Sequence, residues 1–178
     1  MRLLYTPRAS ADGSEDVRRL LRYAVEDTYG VALPPMAKTP EGKPYFPGRE
    51  DICFSLSHSR RHVLCALGES PVGADIEDAR PVSRRLALRF STPEEREQFE
   101  FLELWVLKES RLKLVGGALW GLKDVHFSRT ETGILCPDPG VSAAVFRPEE
   151  GVFAAVCCSG ALPASAERAD PEKVYFAY

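Results

Sequence analysis

The sequence predicts an α/β protein on three observations. Strand alternation and helical periodicity are interleaved along the chain, glycine and proline punctuate them, and one apolar, small-residue strand pattern occurs twice. The repeated stretches are Val63-Leu64-Cys65-Ala66-Leu67 and Val152-Phe153-Ala154-Ala155-Val156-Cys157, late in each half. They are a weak sign of internal duplication. With 178 residues and 44% hydrophobic content, the chain suffices for one sizeable core or two small fused subdomains.

Leu3-Leu4-Tyr5 opens as a short strand. Val17, Leu20, Leu21, Ala24 and Val25 then mark a helix over Ser14 to Tyr29, with Asp12 or Ser14 as its cap and Gly30 as its stop. Pro34 to Pro47 is loop-rich and contains Gly42-Lys43-Pro44. Ile52 to Ser57 and His62 to Leu67 read as strands, and a Gly-Glu-Ser-Pro turn leads to a third at Val72 to Ile76. A short helix is predicted over Val82 to Phe90. Ser91-Thr92-Pro93-Glu94-Glu95 starts a longer one, with a hydroxyl cap, proline at the first position and acids in the first turn. It is predicted to run to Val115 and stop at Gly116-Gly117. Four strands follow: Val125 to Ser128, Gly133 to Cys136, Ser142 to Phe146 and Val152 to Cys158. The polar Pro163 to Pro171 is expected to be a mobile tail, with Val174 to Tyr178 docking back as a strand.

A net charge of −3 with 28% charged residues excludes a broad polyanion-binding surface, so no nucleic-acid partner is expected. The five cysteines form no CxxC pair and show no zinc-like spacing to histidine. Cys53, Cys65, Cys157 and Cys158 lie in apolar runs and read as reduced core residues. That odd count, without a signal-like start, predicts the cytoplasm. The apolar Met1 to Tyr5 is too short for a membrane span, so no membrane association is expected.

The candidate chemistry lies in two acidic segments. On a strand over Pro71 to Ile76, Asp75 and Glu77 are two apart and point the same way. On the long helix Glu109 and Lys113 are four apart and stack on one face. At roughly 100° per residue, Phe99, Leu102, Val106, Glu109 and Lys113 fall in one stripe, so the charged pair continues an apolar face. Taken alone, the spacing favours a surface ion pair. The carboxylates on the preceding strand weigh towards a site. Three carboxylates and an ammonium that converge suit magnesium and phosphate, because magnesium takes hard oxygen ligands. His58, taken alone, reads as a local hydrogen-bonding residue at a strand end, and His62 and His126 receive no role. Trp105 and Trp120 read as core or wall residues.

Four motifs in order give a resemblance. Gly42-Lys43-Pro44, Phe54-Ser55-Leu56-Ser57-His58-Ser59, Val72-Gly73-Ala74-Asp75-Ile76-Glu77, and Trp105 through Lys113 with Gly116-Gly117 resemble the 4′-phosphopantetheinyl transferases. Ser-His-Ser precedes Gly-x-Asp here, as in the surfactin-type branch of pseudo-twofold monomers. The resemblance implies the 4′-phosphopantetheinyl transferase fold, with two similar subdomains at 1–80 and 81–178 and coenzyme A in the cleft between them. It implies transfer of the phosphopantetheine arm of coenzyme A to a serine of an apo acyl or peptidyl carrier protein, with release of 3′,5′-ADP, by a monomer. Asp75, Glu77 and Glu109 would hold magnesium, with manganese as an alternative. Glu109 would serve as base, ligand or both, and Lys113 would stabilise the leaving phosphate. Lys43, Ser57 and His58 would bind the adenosine 3′-phosphate end. Relatives carry a longer basic N-terminal half. Here Arg18 and Arg19 are the cations offered for that phosphate, and Ser55 stands where asparagine is usual. Lys108, Arg111, Lys123 and Arg84 are expected to form the carrier-docking patch. The rival reading is a non-catalytic relative that binds coenzyme A or a carrier protein.

Overall fold

The computed structural model describes residues 1–116 and 119–176, with the side chains of Leu119 and Trp120 excluded. The predicted stop at Gly117, the burial of Trp120 and the strand end at Tyr178 therefore lie outside the described residues. The chain forms β1 (Arg2–Pro7), α1 (Gly13–Tyr29), β2 (Ala37–Lys38), β3 (Pro44–Tyr45), β4 (Cys53–His58), β5 (His62–Gly68) and β6 (Val72–Asp78). Then come α2 (Arg84–Phe90), α3 (Pro93–Gln98), α4 (Phe101–Val115), β7 (Ser128–Thr130), β8 (Gly133–Leu135), β9 (Ser142–Phe146), β10 (Val152–Cys158), β11 (Ala166–Arg168) and α5 (Pro171–Tyr175). No helix among the described residues is long and apolar enough to cross a membrane.

The chain is mixed α/β, as its patterning predicts. One sheet has the order β11-β1-β5-β4, a second β6-β10-β9-β8-β7, and β2-β3 is a small hairpin. Alternation along the strands sorts the apolar side chains into three cores and therefore four layers. Leu4, Phe54, Val63, Cys65 and Leu67 face α1 and α5. Leu3, Tyr5, Leu64 and Ala66 face Val72, Ala74, Ile76, Val152, Ala154 and Val156 of the second sheet. The opposite side of that sheet, at Ala143, Phe153, Ala155 and Cys157, packs on Leu104, Val106 and Leu107 of α4. The sheets do not divide at residue 80. Strand β6 joins β10 in antiparallel register, while β11 returns to pair in parallel with β1.

Four expectations are corrected. The long helix is two helices. Phe99 is extended at φ −131° and ends α3, so it does not lie on the helical stripe. Each helix carries its own capping box, Thr92 with Glu95 and then Glu100 with Glu103, and the second starts a new helix. The expected mobile tail contains β11, and Val174 and Tyr175 are buried on a helix rather than a strand. Asp170 caps that helix and Pro171 opens it, a start signal within an otherwise polar run. The strand placed at Val125 begins at Ser128, because Val125 and Phe127 fill the core beside α4.

Candidate active site

The site forms where the sheets approach edge to edge without pairing. Phe54 and Leu56 of β4 face the α1 core, so Ser55 and Ser57 face β6. The Ser55 hydroxyl accepts from Ala74 N at 2.9 Å, and the Ser57 hydroxyl donates to Asp75 Oδ1 at 2.6 Å. An unpaired strand edge needs such partners, which accounts for buried serines here. On β6, Gly73, Asp75 and Glu77 share the face towards α4. A Cβ on Gly73 would stand 2.0 Å from Ser110 O and 2.4 Å from Leu114 N. Only glycine permits that approach, and it brings Asp75 to Lys113.

The four predicted charges converge. Lys113 Nζ lies 2.7 Å from Asp75 Oδ1 and donates to Leu56 O at 3.2 Å. Asp75 is buried, and Glu77 leans towards Arg80, 3.3 Å away. Burial foremost, then the charge of Asp75, opposed by Lys113 and joined by Glu77, raises the Glu109 carboxyl to about 7. These residues are hard oxygen donors in a crowded negative field, which suits a divalent cation in chemistry. In geometry the cluster is open: no group of three such side chains among the described residues is closed to metal-holding distance. Asp75 Oδ1 is instead shared by Ser57 and Lys113.

Beside Lys113 a cavity of about 260 Å³ is lined by Glu41, Gly42, Lys43, Pro44, Leu56 and Gly116, among others. Lys43 does not extend freely into it. Its ammonium donates to Val72 O and Leu114 O, both at 3.1 Å, and burial lowers its pKa. Ser57 likewise faces Asp75. His58 is exposed at the end of β4, with its ring against Gly13 at the start of α1. A Cβ on Gly13 would meet His58 Cγ at 2.9 Å and the Arg8 guanidinium carbon at 3.2 Å. Gly13 and Arg8 were invisible to sequence reasoning, because the contact arises only when α1 packs beside the β4–β5 hairpin. Arg18 and Arg19 lie further along α1, in a groove with Tyr175 and Phe176, and Arg19 is bonded to Glu15. That groove shares no lining residue with the cavity beside Lys113.

The expected docking patch is also revised. Lys108 is buried and paired with Glu95 at 3.1 Å, and Arg111 is held by Asp138 at 2.8 Å. Lys123 and Arg84 are exposed. None of the seven α2 residues is buried, and Arg84, Arg85, Leu88 and Arg89 line one open groove. Leu88 is 51% exposed, an apolar centre among three arginines.

No protein-family model matches the chain. Individual relatives do. A 4′-phosphopantetheinyl transferase of Bacillus subtilis is 35% identical over 112 residues, 56% of this chain and 50% of the relative. The 4′-phosphopantetheinyl transferase Sfp of Bacillus subtilis (strain 168) is 40% identical over 88 residues, covering 44% and 39%. The 4′-phosphopantetheinyl transferase gsp of Aneurinibacillus migulanus is 30% identical over 141 residues, covering 68% and 56%. The chain thus spans about half the length of the curated relatives it matches.

Proposed function

The chain is a relative of the 4′-phosphopantetheinyl transferases of the surfactin type, and on that premise we propose that it transfers phosphopantetheine from coenzyme A to a carrier-protein serine. The observation that carries this reading is the convergence of Asp75, Glu77, Glu109 and Lys113 at the junction of β6 and α4, beside a cavity rimmed by Gly42-Lys43-Pro44.

Glu109, with a carboxyl near 7, is matched to proton transfer at neutral pH. It takes the proton of the carrier serine, whose oxygen forms a bond to the β-phosphorus of coenzyme A. The bond from that phosphorus to the bridging oxygen breaks, and 3′,5′-ADP leaves with the electron pair. Lys113 offers a point charge to the leaving phosphate. Magnesium or manganese, held by Asp75, Glu77 and Glu109, would neutralise the pyrophosphate. Ser57 sets the Asp75 carboxylate by its hydrogen bond. The adenosine 3′-phosphate end lies towards His58 and Arg8, with Arg18 and Arg19 on the neighbouring helix α1. An acidic carrier meets the basic, apolar-centred surface of α2, where Arg84, Arg85, Leu88 and Arg89 present complementary charge. The halves containing residues 1–80 and 81–178 are pseudo-twofold relatives that exchange β6 and β11, and the enzyme works as a cytoplasmic monomer.

Single-turnover transfer is expected to vanish in Asp75→Ala and Glu109→Ala, with the far-UV spectrum unchanged. Parental rates in either variant contradict the assignment. The rival reading is a relative that binds coenzyme A without transfer. Calorimetric binding of coenzyme A with no product on any carrier would establish that rival.

A further inference from the structure

Asp78 follows Glu77 on β6, but strand alternation turns it to the opposite face, towards the first sheet. It is only 5% exposed and makes several bonds there. Its Oδ2 accepts from Ser59 Oγ at 2.9 Å and from Arg61 N at 2.6 Å, and its Oδ1 accepts from His62 Nδ1 at 2.7 Å. His62 is equally buried, and its Nε2 lies 3.8 Å from Glu149 Oε2. The transfer chemistry uses none of these groups. Apolar residues would fill the same space without desolvating a carboxylate, so packing alone does not account for them. Nor do they form a nucleophilic triad, since Ser59 bonds Asp78 and the His62 carbonyl, not the His62 ring.

What the network holds is the β4–β5 hairpin. Ser59 N donates to His62 O at 2.8 Å to close the turn, and Asp78 ties the turn to the strand that carries Asp75 and Glu77. The turn in turn holds Arg8: Arg8 N donates to Arg61 O at 2.8 Å, and its guanidinium donates to Ser59 O and Arg60 O. His58 precedes the turn, and its ring and the Arg8 guanidinium both lie against Gly13. Among the described residues neither Arg8 nor Arg60 is salt-bridged to a carboxylate, whereas Arg61 of the same turn lies 3.4 Å from Asp78 Oδ1.

We propose that Asp78 and His62 are positioning residues that lock the Ser59–His62 turn, so that His58 and Arg8 face the 3′-phosphate of coenzyme A in register with the acid cluster on the same strand. The inference rests on the proposed coenzyme A reading of the site. The probe is 3′-dephospho-coenzyme A, which lacks only that phosphate. In Asp78→Asn, KM for coenzyme A is expected to rise about tenfold, as for losing one charged hydrogen-bond contact, while kcat and KM for the dephospho form stay within about twofold. Ser59→Ala, which removes one bond and leaves the carboxylate paired with His62, should shift the same way by a smaller factor and keeps the test open if Asp78→Asn folds poorly. A parental protein that does not distinguish the two cofactors would overturn the underlying reading. A parental protein that does, with both variants distinguishing them equally well or losing kcat on both cofactors alike, would overturn the positioning role itself.

Discussion

Lys43 and Lys113 stand where β4 and β6 stop short of pairing. Each ammonium serves open carbonyls: Lys113 at Leu56 O on the β4 edge, and Lys43 at Val72 O on the β6 edge and at Leu114 O in the last turn of α4. A cation at such a gap bridges its two sides and holds it at its width. Lys113 was legible in the sequence, because four-residue spacing stacks it on Glu109 whatever else happens. The bonds of Lys43 were not, since they join segments 29 and 71 residues apart. Lys43→Met should therefore lower stability as well as coenzyme A affinity. A loss of about 1–3 kcal/mol in urea unfolding is expected from two carbonyls left without a donor. Reduced affinity at unchanged stability would instead mean that Lys43 serves the ligand alone.

At the scale of elements, the contact between β6 and α4 places the chemistry. Gly73 lets the strand touch the helix backbone, and Ser110, a small residue at the contact, turns its hydroxyl back to Leu107 O at 2.8 Å. Gly73→Ala must push strand and helix apart. About 1–3 kcal/mol of destabilisation is expected from such overpacking, with transfer falling further than stability because Lys113 withdraws from Asp75. A variant with parental unfolding and parental turnover would show that the approach is not needed. The strand period made the shared face of Asp75 and Glu77 readable from sequence, and the helix period did the same for Glu109 and Lys113. The break at Phe99–Glu100 was hidden. Helical spacing continues across it, and only the side-chain return of Glu103 to Glu100 N, at 3.2 Å, marks the new start.

At the scale of the whole molecule, two sheets lie back to back between helices, and the site sits where an edge of one meets an edge of the other. Local patterns named the strands but not which sheet each would join. Sheet membership is set by burial on both faces, and the runs at β5, β6 and β10 are buried along nearly their whole length. Hence β6 was read with its sequence neighbours although it pairs with β10, and β11 was read as tail although it extends the first sheet. Asp78 spans the two sheets, which gives the molecule an acid limit. Its folded-state carboxyl lies below the ordinary value, so its contribution is present above about pH 4 and is lost as pH falls through the depressed value. Thermal melting should drop more steeply below pH 4 in the parent than in Asp78→Asn, and parallel curves would contradict that linkage. Intact mass spectrometry tests the proposed transfer chemistry at the acid cluster. Apo acyl and peptidyl carrier proteins are incubated with this protein, coenzyme A and magnesium, with a chelator control. A chelator-sensitive gain of one phosphopantetheine on the carrier serine is expected. An unchanged carrier mass across the panel, with coenzyme A bound, would contradict it.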